Sequence, residues 1–265
     1  MVMVWKYIRM ILILYSVQSQ LYSQKDRSMI NLPPYMCALA LLSSSLAMST
    51  ALSSPLILGS GSATRKAILQ ELGLKFEVHK PGIDEKAIRR KEPAELVLAL
   101  GRAKAAALLE GERGDAFRRN GALVLTADQV VVCDGRILEK PDTEEEARHF
   151  ISGYAQYPPQ TVGSCVITDP KSGRQWSAVD EACVTFLPIP DAVIDELIDE
   201  GEVFFCAGGL MVEHALVQPY IERMDGSIDS VMGLCKATVM RLLQEANAAR
   251  ADDSTNGGDL LRNPA

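Results

Sequence analysis

The residues that could carry out chemistry in this sequence are an acid and a lysine in apolar surroundings. Asp128 interrupts an apolar run that begins at Ala122. Lys104 lies at helical spacing from apolar residues, so it would share their face of a helix. Because a buried carboxylate without a partner is costly, Asp128 must form an ion pair, bind a metal or line a cavity. Lys104 either extends its ammonium to solvent or faces an anion. A purely structural ion pair between Asp128 and Lys140 is the alternative.

A small-residue loop follows the first apolar run of the predicted folded region. Leu56–Leu58 leads into Gly59–Ser62, and Arg65 follows in the first turn of a helix that Ser62 would cap. Backbone N–H groups, hydroxyls and a guanidinium at a helix N-terminus are suited to binding phosphate. The loop lacks the residues of a Walker A loop and the third glycine of a dinucleotide fingerprint. An ordinary strand-to-helix turn is therefore the other interpretation.

The composition excludes several classes of protein. The chain has 265 residues, of which 48% are apolar, and a net charge of −7. It can therefore bury a sizeable core, and we expect no nucleic-acid partner. The six cysteines and three histidines are scattered without zinc-ligand spacing, which argues against a zinc site or a Ser/His nucleophile. No apolar run before residue 55 is long enough to span a bilayer, so we expect no membrane partner either.

Three regions follow from the distribution of residue types. Residues 1–54 are rich in serine and poor in acids, which predicts a disordered extension or a targeting peptide. We predict a folded domain over residues 55–250 and a disordered polar tail over residues 251–265.

Within the folded region, strands alternate with helices and a hairpin follows, so we predict an α/β fold with a mixed sheet. The spacing predicts a helix over 92–109, a hairpin of strands 161–168 and 176–186, and a final helix over 231–248. We also predict a solvated loop over 111–120 and strands over 204–209 and 218–223.

A series of short motifs, in one fixed order, resembles the Maf family of nucleoside triphosphate pyrophosphatases. Members of that family hydrolyse a nucleotide between its α and β phosphates. The resemblance covers about Leu56 to Ala246. The matching pieces are LILGSGSATRK from Leu56, GIDE from Gly82, GRAKA around Lys104, TADQV from Thr126, LEKP from Leu138, SG at Ser152, CAGG from Cys206 and DGSIDSVMGL from Asp225.

The resemblance implies a fold, a cofactor and an assembly. The fold would be a mixed, twisted sheet in two lobes with a central cleft, similar also to inosine triphosphatase. Glu85 and Asp128 would bind a divalent cation, Mg²⁺ or Mn²⁺, which prefers such oxygen ligands. Asp128 aligns with the family's proton acceptor. The resemblance also implies a homodimer.

The same resemblance assigns residues to the substrate. Ser60 and Arg65 would bind the triphosphate, and Lys104 and Lys140 would bind it and take part in catalysis together with Glu85. Positive side chains at a helix N-terminus can offset the charge of a triphosphate. We therefore expect a nucleoside triphosphate as the substrate.

The choice of nucleotide is predicted from three further positions. Asp128-Gln129 and the Cys-Ala-Gly that starts at Cys206 resemble the branch of the family that acts on 7-methyl-GTP, whereas members acting on dTTP and UTP read Asp-Thr and Lys-Ala-Gly. A carboxylate at Glu213 can accept hydrogen bonds from N1–H and the amino group of guanine. We predict that Thr64, Gln129 and Glu213 select the base. The chain departs from the family at His214-Ala215-Leu216, where small glycines are expected.

The predicted function is that of a cytoplasmic house-cleaning enzyme that hydrolyses 7-methyl-GTP or related modified nucleotides. A location in an organelle, through residues 1–54, is the alternative. The alternative functions are a dTTP/UTP pyrophosphatase, a non-catalytic nucleotide-binding regulator of cell division, and a nucleotidyl or glycosyl transferase, which would need an acceptor.

Overall fold

The computed structural model describes residues 54–259, and the side chains of residues 54–253. The predictions for the N-terminal extension therefore concern residues outside the described range, apart from Ser54, and so does the part of the predicted tail beyond residue 259. No helix in the described range is long and apolar enough to cross a membrane.

Seven strands and seven α-helices form the described fold. The strands are β1 (Leu56–Gly59), β2 (Phe76–Val78), β3 (Leu123–Cys133), β4 (Arg136–Leu138), β5 (Gln160–Thr168), β6 (Gln175–Phe186) and β7 (Ile221–Asp225). The helices are α1 (Ala63–Glu71), α2 (Pro93–Leu108), α3 (Gly111–Asn120), α4 (Glu144–Gly153), α5 (Asp191–Glu200), α6 (Ile228–Val231) and α7 (Lys236–Asp259).

The strands form one open sheet that is partly parallel and partly antiparallel. Its order is β2-β1-β3-β5-β6-β7, with β4 paired to β3. The pairs of β1 with β2 and β3 are parallel, and all other pairs are antiparallel. This confirms the prediction of an α/β fold with a mixed sheet, including the hairpin of β5 and β6.

An interruption in strand pairing leaves the middle of β3 without a strand partner on one edge. β1 pairs with β3 as far as Thr126, and β4 pairs with it from Val131 to Cys133. Because β5 pairs with the opposite edge of β3 from residue 124 to residue 132, β1 and β4 must share one edge. Residues 127–130 have no strand partner on that edge, which we call the open edge of β3. Asp128 and Gln129 lie there.

Helices cover both faces of the sheet around the open edge. Val97 and Leu100 of α2 pack with Val130 on one face. On the other face, residues of α1 and α7 pack with Ala127 in a separate hydrophobic cluster. Since successive residues of a strand point to opposite faces, Asp128 faces α2 and Gln129 faces away from it.

Two hydroxyl groups and a glycine bring α2 close to the sheet. Thr126 Oγ1 donates to the carbonyl oxygen of Gly101 at 2.7 Å, and Ser164 Oγ donates to that of Val97, also at 2.7 Å. A Cβ atom on Gly101 would lie 3.1 Å from Ser164 Oγ. This close approach places Lys104, one turn further along α2, over β3.

The helix predicted over 92–109 is confirmed by α2, whereas the loop predicted over 111–120 is wrong. That segment is helix α3, and Phe117 anchors it by packing against Ile57 and Leu108. Gly121 then ends the helix in the left-handed conformation, at φ 68°. Its many charged residues face solvent, which is why the composition suggested a loop.

Three other boundaries differ from the sequence prediction. The segment predicted as a strand over 204–209 forms two 3₁₀ turns, Glu202–Phe205 and Ala207–Gly209. The last strand begins at Ile221, because Pro219 lies in a preceding 3₁₀ turn. The final helix begins at Lys236 after a turn through Gly233, and it continues to Asp259, past its predicted end.

Candidate active site

The loop after β1 has the local structure that its sequence predicts. Ser62 caps α1, because its Oγ accepts a hydrogen bond from the backbone N–H of Arg65 at 3.2 Å. Ser60 is buried, and its Oγ accepts from the backbone N–H of Ser62, also at 3.2 Å. Thr64 lies half-buried in the first turn of α1. The loop therefore places two hydroxyl groups at the helix N-terminus.

Arg65 connects this loop to two distant parts of the chain. Its Nη1 donates to the carbonyl oxygen of Ala127 at 3.0 Å, on the open edge of β3, and lies 3.4 Å from Ser60 Oγ. Its Nε donates to the carbonyl oxygen of Gly233 at 3.0 Å. Burial lowers the pKa of Arg65, and the carboxylates of Asp128 and Glu85 act in the opposite direction. The guanidinium remains charged, because arginine does not lose its proton in proteins.

Lys104 lies between the two acids that were predicted to bind metal. Its ammonium forms a short ion pair with Asp128 Oδ1 and lies 3.1 Å from Glu85 Oε1. Lys104 and Asp128 are both buried, whereas the side chain of Glu85 is 54% exposed. Lys104 therefore faces anions, and the alternative pairing of Asp128 with Lys140 is wrong. Burial raises the pKa of Asp128, while Lys104 and Arg65 oppose that rise.

Two ion pairs connect the segment that contains Lys140 to the segment after Glu85. Arg89 Nη1 lies 3.0 Å from Glu139 Oε1, and Lys86 Nζ lies 3.5 Å from Asp142 Oδ2. These contacts join the segment after Glu85 to the segment that contains Lys140. Since β4 is antiparallel to β3, the chain after Leu138 also runs back toward the open edge. Lys140 is exposed, and it forms no ion pair with the described residues.

Glu213 and Lys140 both act electrostatically on the thiol of Cys206. Burial raises the pKa of the Cys206 thiol to about 11; the nearby charges of Glu213 and Glu202 contribute to this rise, and that of Lys140 opposes it. Glu213 is exposed.

A buried tyrosine, which sequence reasoning missed, holds this turn in place. The hydroxyl of Tyr154 donates to the carbonyl oxygen of Gly208, whose N–H donates to the carbonyl oxygen of Glu139 at 2.8 Å. Gly208 has φ 63°, and a Cβ atom there would lie 2.5 Å from the tyrosine hydroxyl. Only glycine fits, so the CAGG motif has a structural reason in addition to any contact with substrate.

Gln129 points to the other face of the sheet from Asp128. Its Nε2 donates to the carbonyl oxygens of Ser230 at 2.8 Å and Val231 at 3.1 Å. A Cβ atom on Gly233 would lie 3.3 Å from Gln129 Oε1. Gln129 thus connects the open edge of β3 to α6 and the turn after it, the same turn that Arg65 contacts.

The structure therefore brings most of the predicted residues together. Ser60 and Arg65 reach the open edge of β3 through the carbonyl oxygen of Ala127, and Lys104 joins Glu85 to the next residue, Asp128. Lys140 and Glu213 both act electrostatically on Cys206. Sequence reasoning also missed Gly101 and Ser164, which position α2. An isolated glycine inside a helical pattern is the one signal that could have indicated such a close contact.

The acids of the site fit a hard divalent cation. Within the described residues no group of three or more His, Cys, Asp or Glu side chains forms a metal cluster. However, Mg²⁺ commonly binds through one or two carboxylates and completes its shell with water and substrate phosphates. Glu85 and Asp128 already converge on one positive charge, that of Lys104. Their arrangement is suited to this mode of binding.

The fold and the site define an α/β protein with a cationic, hydroxyl-lined loop beside a pair of carboxylates. Residues 55–246 match the family described as Maf-like protein. The chain belongs to this family, which confirms the resemblance seen in its motifs.

Relatives with assigned names share most of this region. The chain is 37% identical over 196 residues to a protein of Dictyostelium discoideum named 7-methyl-GTP pyrophosphatase, covering 74% of this chain and 98% of that one. It is 32% identical to a protein of Salinibacter ruber named dTTP/UTP pyrophosphatase, covering 76% and 94%. It is 34% identical to a protein of Streptomyces coelicolor named nucleoside triphosphate pyrophosphatase, covering 72% and 89%.

Proposed function

We propose that this chain hydrolyses nucleoside triphosphates between the α and β phosphates, and that it prefers 7-methyl-GTP or a related modified nucleotide. The observation that carries this proposal is the contact of Lys104 with both Asp128 and Glu85, beside the loop that contains Ser60. The names of the relatives in Dictyostelium discoideum and Streptomyces coelicolor support the same reaction.

The triphosphate would bind against the loop after β1. Ser60 would donate from its hydroxyl, and the positive charges of Arg65, Lys104 and Lys140 would offset the phosphate charge. Binding of substrate would draw the Lys104 ammonium partly away from the two carboxylates. Charge-assisted hydrogen bonds of this kind are about twice as strong as neutral ones.

Glu85 and Asp128 would hold the divalent cation. When bound, Mg²⁺ or Mn²⁺ would neutralise phosphate charge and lower the pKa of a nearby water. In the absence of a cation, the two carboxylate charges cancel those of Lys104 and Arg65, so these four side chains together would attract the substrate little. We therefore expect activity to depend on a divalent cation.

Asp128 would act as the general base for the attacking water. The water oxygen forms a bond to the α-phosphorus, the bond from that phosphorus to the bridging oxygen breaks, and the proton of the water passes to an Asp128 carboxylate oxygen. Pyrophosphate leaves with the electron pair, and the nucleoside monophosphate remains. The burial of Asp128 favours this role, because burial raises the pKa of the carboxylate and a raised pKa makes it a better proton acceptor.

Base selection would fall to Thr64, Gln129 and Glu213. The carboxylate of Glu213 is exposed and is free to accept from guanine N1–H and the amino group. The amide nitrogen of Gln129 already donates to Ser230 and Val231, so Gln129 would act on the base through its oxygen or through the position of α6.

The test is a substrate panel on the full-length protein with Mg²⁺ and no acceptor molecule. We expect 7-methyl-GTP to give monophosphate and pyrophosphate faster than GTP, dTTP and UTP. Absence of pyrophosphate from every nucleotide would overturn the reaction, and a preference for dTTP would overturn only the choice of base. The second outcome would favour the activity for which the Salinibacter ruber relative is named.

A matched pair of variants then tests the general base and excludes a purely binding role. Asp128→Asn should lower kcat by about 10²–10⁴ while nucleotide binding persists. Asp134→Asn changes an exposed acid in the turn after β3 and should leave kcat unchanged. Equal turnover of the two variants would remove Asp128 from this role.

We also propose that the protein is a cytoplasmic homodimer. The family resemblance supports the dimer, and the scattered cysteines support a reducing compartment. Light scattering of the purified chain at several concentrations tests the dimer, since a constant monomeric mass would contradict it.

A further inference from the structure

Lys80, which is not one of the predicted site residues, lies beside the loop after β1. β2 is parallel to β1, with Val78 paired to Leu58, and the N–H of His79 continues the pairing by donating to the carbonyl oxygen of Leu58 at 3.0 Å. The next residue, Lys80, therefore lies at the carboxyl end of β2, level with the loop after β1. The carboxyl ends of parallel strands are where ligands bind in open α/β sheets.

The side chain of Lys80 runs along Gly61 in that loop. A Cβ atom on Gly61 would lie 3.3 Å from Lys80 Cε, 3.5 Å from Cδ and 3.7 Å from Cγ. The lysine stem thus packs where a larger residue would project, and the ammonium lies one bond beyond Cε. Lys80 is exposed and forms no ion pair with the described residues.

The charged side chains already described at the site supply no net positive charge for a polyphosphate. Lys104 is shared by Glu85 and Asp128, and Arg65 donates to the carbonyl oxygens of Ala127 and Gly233. The two positive and two negative charges of these four side chains cancel. A polyphosphate that approaches the loop therefore meets, at Lys80, a positive charge that forms no ion pair with the described residues.

We infer that Lys80 is a further polyphosphate-binding residue, which contacts the phosphate chain of the substrate from the Gly61 side. This inference rests on the proposed function for the identity of the ligand. Lys80 is exposed and acts through its charge, so it would strengthen substrate binding without taking part in bond breaking. Added salt would weaken this contribution to binding.

The experiment measures binding of inorganic tripolyphosphate to the full-length protein by titration calorimetry, at low and at raised salt. Lys80→Met keeps an apolar stem over Gly61 and removes the charge. Lys75→Met is the matched control, because Lys75 is an exposed lysine that directly precedes β2, at the opposite end of that strand. Lys80→Arg restores the charge.

We expect Lys80→Met to raise the Kd for tripolyphosphate about three- to tenfold at low salt, with a smaller change at raised salt. Lys75→Met and Lys80→Arg should bind like the unchanged protein. Equal affinity of the Lys80→Met and Lys75→Met variants would overturn the inference, as would an unchanged protein that binds no tripolyphosphate.

Turnover separates this inference from the proposed function. With a hydrolysed nucleotide, Lys80→Met should raise KM by a similar factor and leave kcat unchanged. If no nucleotide is hydrolysed but tripolyphosphate binds in a Lys80-dependent way, the proposed reaction fails and the role of Lys80 stands.

Discussion

Arg65 donates from Nε to the carbonyl oxygen of Gly233 at 3.0 Å, although 168 residues separate them in the chain. The contact joins the first helix of the fold to the turn before the last one. Arg65 and Gln129 both lie against this glycine, which has φ 109°.

The first prediction concerns that glycine. A Cβ atom at position 233 would lie 3.5 Å from Arg65 Nε and 3.3 Å from Gln129 Oε1, in a backbone conformation that other residues rarely adopt. We expect Gly233→Ala to destabilise the protein by about 1–3 kcal/mol because of this backbone conformation. We also expect it to raise KM for the nucleotide, because Gln129, the closer neighbour, must shift. Urea unfolding and steady-state kinetics measure the two effects.

Gly73→Ala is the control for backbone strain alone. Gly73 has φ 70°, and nothing lies within 4 Å of the position of its Cβ atom. The Gly73→Ala variant should lose stability to a similar extent, and its KM for the nucleotide should be unchanged. An equal rise in KM for both variants would show that the loss at Gly233 is not local to the site.

The second prediction concerns the buried ion pair. Lys104→Met leaves Asp128 buried without its main partner, so we expect a loss of stability of about 3–5 kcal/mol. The double variant Lys104→Met/Asp128→Asn removes the uncompensated charge and should recover much of that loss, while its kcat should be no higher than that of Asp128→Asn. Thermal unfolding and pyrophosphate release measure these results. A double variant no more stable than Lys104→Met would contradict the pairing.

The third prediction concerns selection of the base. Glu213→Gln gives the position a donor in place of an acceptor, so the ratio of kcat/KM for 7-methyl-GTP over dTTP should fall by about tenfold or more. Glu202→Gln is the control, because Glu202 is the other carboxylate near Cys206. If the ratio is unchanged in the Glu213 variant, the side chain does not read the base.

The fourth prediction concerns Arg250, which lies beyond the region matched by the family. It donates to Asp169 Oδ1 at 2.5 Å and to the carbonyl oxygens of Gly121 and Ala122 at 2.8 and 3.1 Å. Arg250→Ala removes this partner of Asp169 but leaves the hydrogen bonds from Ser172 and the N–H of Lys171, so we expect a loss of about 1.5–3 kcal/mol in the free energy of unfolding.

Arg241→Ala on the same helix is the matched control for that variant. Arg241 forms an exposed pair with Glu245, which should contribute about 0.3–0.5 kcal/mol. Urea unfolding compares the two variants. A similar small loss in both would show that the end of α7 does not hold the fold together.

The fifth prediction gives the pH dependence of the same contact. Burial acts to raise the pKa of Asp169, but hydrogen bonds from Arg250, Ser172 and the N–H of Lys171 outweigh it and lower the pKa. A lowered pKa in the folded state stabilises the protein above the unfolded value of about 3.9, and this stabilisation is lost as the pH falls through the folded pKa.

The difference in stability between the unchanged protein and Arg250→Ala should therefore be full at pH 6 and shrink below about pH 4. Urea unfolding at a series of pH values measures this difference. A difference that stays constant down to pH 3 would mean that the charge of Asp169 has no part in the effect.

Local features of this protein could be read directly from its sequence. The cap at Ser62, helix α2, and the hairpin of β5 and β6 depend on hydrogen bonds and apolar spacing between near neighbours, so short stretches specify them. The residues of the candidate site were also indicated, because Asp128 and Lys104 are polar groups in apolar stretches and the motifs occur in the order of a known family.

Only the tertiary structure decided which of these residues meet. Asp128 could pair with either of two lysines, and the choice of Lys104 follows from the close packing of α2 through Thr126 and Ser164. The open edge of β3 depends on where β1 and β4 pair with it, and the place of Lys80 depends on the register of β2. Such contacts join residues far apart in the chain, so no local pattern encodes them.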